Sequence, residues 1–560
     1  MKAQIMEQNA RNETMAKRTP QKRWFWIISV FILLLTGLVV GGLGLFGRLP
    51  WQKNGDLYED PQGRFTMEVG PSWERVETGG SFAQFKIPDP AMNVYLLVLE
   101  AGTVEDAFSE AFNVLGFDAG LLSGGGFARF DDWLAYTKVD AAEIDHGLVG
   151  QIVGGNAFIV VVKADKPGIS VANAPVMQAL ASVKIAGKSD VEAVAIESYA
   201  DVEALVQKRI DSLAGSVSIA VMHKGEIVYT YVYGDANPIT ATPADLQTIY
   251  RYGSMTKPFT AAALMQLVEQ GLVDLDAWPG EYIPGFPEGW KVTVRQMLTH
   301  AACMPDPVRL TDGLIAGRGE SFAPLEEIFS GYVKEYTELV CEPGKYSNYA
   351  NTHFLALARI IEEVSGEPYE SYVVEHILTP LEMKSTSFQL VEATSRYAKG
   401  QYPAAQTDEL VAKLNEYRGP GNETLILHKG ESFSTFDDFR PLPPWGGLLG
   451  TPSDLTHFLR MFLNGGRYGD KQILKPETVE AMKKMQSSTD GSPLGFGLSW
   501  MVGEDEFGDF IYHSGGGASI ESTMRFYPDL DLGVVVMSSV NGSQVEKIAE
   551  ALVSAWQHEK

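Results

Sequence analysis

The sequence predicts an α+β fold for most of the chain: an antiparallel sheet with flanking helices and a helical subdomain, preceded by a transmembrane helix and a small α+β domain. Strand-like segments stand near both ends of residues 191–560, at 215–232 and 532–537, with helical patterns between them. Lys224-Gly225 divides the first segment as a hairpin turn would. Strands from both ends of this region are therefore expected to share one sheet.

The net charge of −26 argues against a nucleic-acid partner, because binding to phosphates needs a basic surface. The charge is unevenly distributed along the chain. Residues 1–50 contain seven Lys or Arg residues but only two acidic ones. Most of these basic residues lie in residues 1–23, which are predicted to form a cytoplasmic N-terminus.

Residues 24–46 read WFWIISVFILLLTGLVVGGLGLF and carry no charge. A helix of about 20 apolar residues spans a bilayer, and basic flanks stay in the cytoplasm. We therefore expect a single-pass signal anchor that leaves the rest of the chain outside the cytoplasm. The alternatives are a buried core helix, which would show a polar face, and a cleaved signal peptide, for which Gly41, Gly42 and Gly44 leave room.

Residues 57–186 are predicted to form the small α+β domain. The expected elements are strands at 65–69, 93–100 and 157–163 and an amphipathic helix at 104–115. The run DPQGRFTMEVGPSW resembles the opening of the small PsbP-like domains. Polar residues 187–190 are the expected linker to a second domain at 191–560.

The first chemical signal is Ser254-Met255-Thr256-Lys257 at the start of a helical run. Residues at i and i+3 face the same side of a helix, so Ser254 and Lys257 are expected to be neighbours. A serine hydroxyl needs an adjacent base to become a nucleophile, and a buried lysine with a lowered pKa can provide one. The spacing alone also fits a capped helix with an exposed lysine.

Two further motifs favour a nucleophile with its base over a capped helix with an exposed lysine. Tyr346-Ser347-Asn348 follows a Pro-Gly turn, and His513-Ser514-Gly515-Gly516 precedes the C-terminal strands. With these motifs the chain resembles the serine β-lactamase and penicillin-binding protein superfamily, in the class C branch that also contains D,D-peptidases, D-aminopeptidases and esterases. The resemblance covers about residues 198–557, and His-Ser-Gly replaces the Lys-Thr-Gly of class C β-lactamases. It implies a β-lactamase/transpeptidase-like fold.

The resemblance also implies roles for individual residues. Ser254 would form an acyl-enzyme, while Lys257 and Tyr346 would share the transferred proton. Asn348 would bind Lys257 and the substrate, and His513 would orient the tyrosine. The remaining implied groups are the oxyanion-hole amides of Ser254 and Gly516 and the substrate-binding Ser514 and Gly515. No metal or cofactor is implied, because the other histidines show no ligand spacing.

Two cysteines complete the sequence-based expectations. Cys303 stands where the family usually has a glycine, and Cys341 precedes the Pro343-Gly344 turn. The family topology brings these two loops together, so either a disulfide or two buried thiols would fit.

The expected function is hydrolysis of an ester, or of an amide such as a D-amino acyl peptide or a β-lactam. The substrate would be a small molecule or peptide, including cell-wall fragments. The alternative is a non-catalytic receptor that binds peptidoglycan fragments or a protein partner through the same pocket.

Overall fold

The computed structural model describes residues 56–560 except for gaps, of which the longest are 118–127, 187–195 and 404–425. The predicted cytoplasmic segment 1–23, membrane span 24–46 and linker 187–190 lie outside the described residues. Within the described residues, no helix has both the length and the apolar character needed to cross a bilayer.

The first part of the described chain is an α+β unit built on antiparallel strands. Seven strands form one sheet in the order β3-β4-β5-β9-β8-β7-β6, and three more pair as β1-β2-β10. The strands are β1 (Asp56–Glu59), β2 (Phe65–Val69), β3 (Glu74–Val76), β4 (Ala83–Pro88), β5 (Ala91–Glu100), β6 (Ala128–Phe130), β7 (Trp133–Val139), β8 (Asp145–Val153), β9 (Asn156–Ala164) and β10 (Lys184–Ile185).

Helix α1 (Val104–Leu115) covers this sheet, packing on β5, β8 and β9. The helix starts at Thr103, whose hydroxyl accepts from the Asp106 amide, and it ends at Gly116 in the left-handed conformation. The buried face contains the five apolar residues that the helical period selects: Val104, Ala107, Phe108, Ala111 and Phe112. The predicted helix at 104–115 is confirmed.

The main sheet has seven antiparallel strands in the order β13-β12-β11-β26-β25-β24-β23. The strands of this part of the chain are β11 (Ser216–His223), β12 (Glu226–Asn237), β13 (Thr242–Pro243), β14 (Tyr250–Arg251), β15 (Ile315–Ala316), β16 (Gly400–Pro403), β17 (Ile426–Lys429), β18 (Phe433–Phe436), β19 (Arg440–Pro441), β20 (Leu449–Gly450), β21 (Arg467–Tyr468), β22 (Lys471–Gln472), β23 (Met501–Asp505), β24 (Gly508–Gly517), β25 (Ile520–Tyr527) and β26 (Leu532–Ser538).

At the centre of the sheet, β11 pairs with β26, with Val217 opposite Ser538. A tight turn joins β11 to β12 because Lys224 and Gly225 both take positive φ angles, 52° and 78°. The predicted α+β fold, with an antiparallel sheet built from both ends of residues 191–560, is confirmed.

Helices cover both faces of this sheet. They include α2 (Tyr199–Asp211), α3 (Lys257–Glu269), α4 (Val294–Leu298), α5 (Leu325–Glu335), α6 (Asn351–Ser365), α7 (Tyr369–Val373), α8 (Pro443–Gly446), α9 (Pro452–Leu463), α10 (Pro476–Lys483) and α11 (Val545–Glu559). Alternate residues of β26 enter different cores: Val535 packs in the core that contains α9, and Val534 in the core that contains α11. Every residue of β26 is therefore buried.

Cys303 and Cys341 form a disulfide, with their Cα atoms 5.3 Å apart. This excludes the alternative of two buried thiols. Because 38 residues separate the two cysteines, closing this loop in the unfolded chain corresponds to about 4 kcal/mol of stability in the chain-entropy model. The disulfide joins the loop that follows α4 to the loop that leads into α6.

Candidate active site

Ser254 lies in a short 3-10 helix, Gly253–Thr256, that continues directly into α3. Tyr252 fixes the start of this turn, since its amide donates to the Leu448 carbonyl at 2.9 Å. Gly253 has a φ of +55°, and a Cβ there would lie 3.3 Å from Gly515 Cα and from Gly516 N. A glycine is therefore required both by the backbone conformation and by the close approach of β24.

Lys257 stands one turn after the serine and is fully buried. Its Nζ donates to Ser254 Oγ at 2.9 Å, which confirms the predicted contact. The other two acceptors are Asn351 Oδ1 at 2.8 Å and the Trp445 carbonyl at 3.2 Å. Burial lowers the pKa of Lys257 well below its usual 10.5, and the charge of Asp306 opposes this only in part. The amine can therefore lose its proton and serve as a base.

The structure corrects the predicted tyrosine and asparagine. Two Tyr-x-Asn motifs stand in tandem, Tyr346-Ser347-Asn348 and Tyr349-Ala350-Asn351. The side chain that holds Lys257 belongs to Asn351, and the Tyr349 ring centroid lies 4.8 Å from Lys257 Nζ. Burial raises the pKa of Tyr349, and the nearby Ser254 hydroxyl opposes this only in part. The prediction of Tyr346 and Asn348 as catalytic residues is thus wrong by one motif, or three residues.

The first motif anchors the loop instead. The backbone amide of Asn348 donates to the His300 carbonyl at 2.7 Å. Ser347 Oγ donates to the carbonyls of Thr299 and Leu494 at 2.9 Å each. The Asn348 side-chain amide is buried and has no hydrogen-bond partner within the described residues. The structure separates the motifs, because Asn351 is the first residue of α6, which packs on α3.

His300, from the Met297-Leu298-Thr299-His300 element, supports the Tyr349 ring. Its ring stacks on the Tyr349 ring with the centroids 4.1 Å apart, and its Nδ1 accepts from the Ala350 amide at 3.1 Å. Burial lowers the pKa of His300 well below its usual value. A neutral imidazole therefore fixes the plane of the Tyr349 ring.

His513 lies on β24 and is fully buried. Its Nδ1 lies 2.8 Å from the Ser514 carbonyl, an acceptor, so the ring hydrogen sits on Nδ1. Nε2 is buried and has no hydrogen-bond partner within the described residues, which leaves it as an unused acceptor. Burial, helped by the charge of Lys257, lowers the pKa of His513 to about 3. His513 is therefore neutral at physiological pH.

The three residues after His513 take different positions. The Ser514 hydroxyl donates to Glu546 of α11, so its predicted role in substrate binding is wrong for the side chain, because successive strand residues face opposite sides of the sheet. Gly515 must lack a Cβ, which would lie 2.0 Å from the Tyr252 carbonyl oxygen. The Gly516 amide lies beside the Ser254 turn, and its role in an oxyanion hole stays a prediction.

Asp306 is the neighbour of Lys257 that the sequence analysis missed. It follows Pro305 and accepts from the first backbone amides of α6. Asp306 lies six residues after His300, inside the loop that the disulfide closes, and this position offers no chemical signal because the contact to α6 crosses 45 residues.

One group of described residues could hold a metal ion, namely Glu367, Glu375 and His376. None of the three belongs to the cluster around Ser254. The Ser254 cluster itself has a nucleophile, a base with a lowered pKa and a tyrosine within reach, which suits acyl transfer.

Comparison with known proteins places the residues around Ser254 within a family match. A profile of the family described as Beta-lactamase matches residues 202–555, more than half of the chain. Protein flp of Staphylococcus aureus (strain MW2) is 25% identical over 342 residues, which cover 60% of this chain and 61% of that protein. The chain thus spans about three fifths of that relative. A protein of Escherichia coli (strain K12) named "Putative D-alanyl-D-alanine carboxypeptidase" is 24% identical over 55% of this chain and 72% of its own.

Solved structures share the fold. The octameric penicillin-binding protein homologue from Pyrococcus abyssi has 25% identity and a TM-score of 0.52, over 64% of this chain and 77% of that one. The D-amino acid amidase from Ochrobactrum anthropi SV3 has 20% identity and a TM-score of 0.53, over 65% of this chain and 99% of that one.

Proposed function

Because the chain belongs to the beta-lactamase family, within the serine β-lactamase and penicillin-binding protein superfamily, we propose that it cleaves an ester or an amide through an acyl-enzyme on Ser254. The observation that carries this proposal is the 2.9 Å hydrogen bond between Lys257 Nζ and Ser254 Oγ in a buried site. A serine hydroxyl becomes a competent nucleophile only beside such a base.

Acylation follows from the contacts around Ser254. As Ser254 Oγ bonds to the carbonyl carbon, its proton passes to Lys257, whose pKa is lowered by burial. The carbonyl oxygen gains negative charge, which the Ser254 and Gly516 amides stabilise; one such donor contributes about 2.7–4 kcal/mol. When the carbon–oxygen or carbon–nitrogen bond breaks, the proton reaches the leaving group through the Tyr349 hydroxyl. The acyl group remains on Ser254 Oγ.

Deacylation reverses the proton path. A water molecule attacks the acyl carbon, and its proton passes through the Tyr349 hydroxyl to Lys257. The proton then returns to Ser254 Oγ as the acid product leaves. Asn351 and the Trp445 carbonyl hold Lys257 in place through both steps. The neutral His513 offers Nε2 as an acceptor to a donor on the substrate.

His513 also bears on the substrate class. In the Lys-Thr-Gly enzymes that the chain resembles, a cation occupies this place and binds the β-lactam carboxylate. His513 is neutral and its Nε2 is an acceptor, so a carboxylate, which only accepts hydrogen bonds, gains no bond from it, whereas a charge-assisted bond to a cation is worth about 1.5–3 kcal/mol. We therefore propose short-chain esters, or amides without a required carboxylate, as better substrates than penicillins or cephalosporins. The named activities of the carboxypeptidase and amidase relatives support a D-amino acyl amide as the second candidate.

We expect kcat/KM for p-nitrophenyl butyrate to exceed the value for nitrocefin by at least about tenfold, which is the effect of losing about 1.4 kcal/mol. Both substrates should be measured on one preparation, with D-alaninamide as a third. A nitrocefin value equal to or above that of the ester would overturn this substrate assignment and favour a β-lactamase.

We propose further that residues 24–46 anchor the enzyme in a membrane, with residues 1–23 cytoplasmic and the catalytic domain outside. The uncharged run and its basic flank support the orientation, and the Cys303–Cys341 disulfide suits an oxidising compartment. Protease added to intact spheroplasts should digest the catalytic domain. Protection of that domain would contradict the orientation.

A further inference from the structure

Asp306 lies at the start of α6, beside the catalytic cluster. Its Oδ1 accepts from the backbone amides of Asn351 at 3.0 Å and Thr352 at 3.1 Å. Ala350, which precedes the helix, has no side chain that can cap it. The carboxylate therefore takes the place of a capping side chain, where negative charge is stabilised by the helix dipole.

The same carboxylate also faces the Asn351 side chain. Asp306 Oδ2 lies 3.5 Å from Asn351 Nδ2, while Asn351 Oδ1 accepts from Lys257 Nζ at 2.8 Å. A carboxylate only accepts hydrogen bonds and an ammonium group only donates them. The two partners therefore select the same orientation of the amide, with its nitrogen toward Asp306 and its oxygen toward Lys257.

The loop that carries Asp306 is held on several sides. Tyr332 and Thr352 both donate hydroxyl hydrogen bonds to the Pro305 carbonyl, at 2.7 and 2.8 Å. Cys303, three residues before Asp306, is fixed by the disulfide to Cys341. The position of the carboxylate is thus set by the fold and does not depend on a flexible side chain.

The titratable groups that act on or around Lys257 are Asp306, Tyr349, His300, His353 and His513. Burial lowers the pKa of all three histidines and raises that of Tyr349, so these four groups are neutral at pH 7. Asp306 is the neighbour whose charge raises the pKa of Lys257 and opposes the effect of burial. Burial raises the pKa of Asp306 itself, and its bonds to the Asn351 and Thr352 amides and the charge of Lys257 oppose this in part.

We propose that Asp306 is a positioning residue of the catalytic centre: it holds the Asn351 amide with its oxygen toward Lys257 and supplies a negative charge near that lysine. The inference rests on the proposed function only in taking Ser254 as the nucleophile that Lys257 serves. Asp306 acts through Asn351 and Lys257 and need not touch the substrate.

The test is the rate at which a fluorophosphonate labels Ser254, measured against pH in the full chain. Asp306→Asn keeps an oxygen for the α6 amides but removes the charge and the fixed choice of amide orientation. We expect the maximal labelling rate to fall by about ten- to a hundredfold, as for other small displacements of catalytic groups. The acidic limb of the profile of labelling rate against pH should move to lower pH, because the Lys257 pKa falls when the charge of Asp306 is removed. Asp306→Glu should keep the wild-type limb with a reduced maximum.

A double-mutant comparison separates this role from a purely structural one. If Asp306 acts through Asn351, Asp306→Asn should add little to the loss already caused by Asn351→Ala. The matched control is Asp201→Asn, which removes a carboxylate that accepts two backbone amides at the start of α2. This control should leave both the labelling rate and the limb unchanged.

The proposal would be overturned if Asp306→Asn kept the wild-type labelling rate and pH profile. It would also be overturned if the loss of labelling rate in Asp306→Asn simply added to the loss in Asn351→Ala. Titration of Lys257 Nζ followed by NMR gives a readout that needs no nucleophile, and Asp306→Asn should lower its pKa there as well. If the wild-type protein is not labelled but Asp306→Asn still lowers the Lys257 pKa, the result counts against Ser254 as the nucleophile and not against Asp306. An unchanged Lys257 titration would count against Asp306.

Discussion

Ser254→Ala is expected to lower turnover of any substrate by at least about 10⁴-fold, as the removal of a catalytic serine does in other hydrolases. Without Oγ no acyl-enzyme forms, and Lys257, whose pKa is lowered by burial, has no hydroxyl to deprotonate. The free energy of unfolding should change by about 1 kcal/mol or less, because Lys257 keeps its bonds to Asn351 and the Trp445 carbonyl.

The measurement is hydrolysis of p-nitrophenyl butyrate, together with intact-protein mass spectrometry after fluorophosphonate treatment. The wild-type chain should gain one adduct, located on Ser254 by peptide mapping, and Ser254→Ala should gain none. Ser365→Ala is the matched control, since that hydroxyl donates to the Ile361 carbonyl and accepts from the Glu367 amide at the far end of α6, away from Ser254. A wild-type protein without an adduct would favour the non-catalytic receptor, and residual turnover above a few per cent in Ser254→Ala would contradict the nucleophile assignment.

Tyr349→Phe should reduce kcat by about 10²–10⁴-fold, the usual contribution of a general acid–base group. The change removes only the hydroxyl that interacts with Ser254 and leaves the ring stacked on His300 and beside Lys257. The fold and the burial of the lysine should therefore be preserved, so the loss can be assigned to proton transfer.

Tyr346→Phe is the paired variant, since it makes the same change in the first of the two tandem motifs. Lys257 contacts Asn351 and the Tyr349 ring of the second motif, so Tyr346→Phe should retain most of the wild-type activity. Comparing kcat for the two variants on one ester decides between the motifs. The reverse order of activities would restore Tyr346 as the catalytic tyrosine.

Several features could be predicted from the sequence because short-range periodicity determines them. Ser254 and Lys257 are three residues apart at a helix start, and helical geometry alone brings them to one side. The α1 helix at Val104–Leu115 and the Lys224-Gly225 hairpin follow from local pattern and turn chemistry in the same way. The usual pKa of histidine, near 6.5, already makes His513 mostly neutral at pH 7, and burial lowers that pKa further.

Only the tertiary structure decided which Tyr-x-Asn motif meets the nucleophile. The motifs are identical in pattern and adjacent in sequence, and the contact that separates them joins Lys257 to Asn351 across 94 residues. The Cys303–Cys341 disulfide and the contact of Asp306 with α6 likewise depend on how distant loops meet. The sequence by itself determined the contact between Ser254 and Lys257 and the hairpin of β11 and β12, because these depend on residues close together in the chain. The partners of that lysine depend on packing between distant segments, where no local period distinguishes one asparagine from another three residues away.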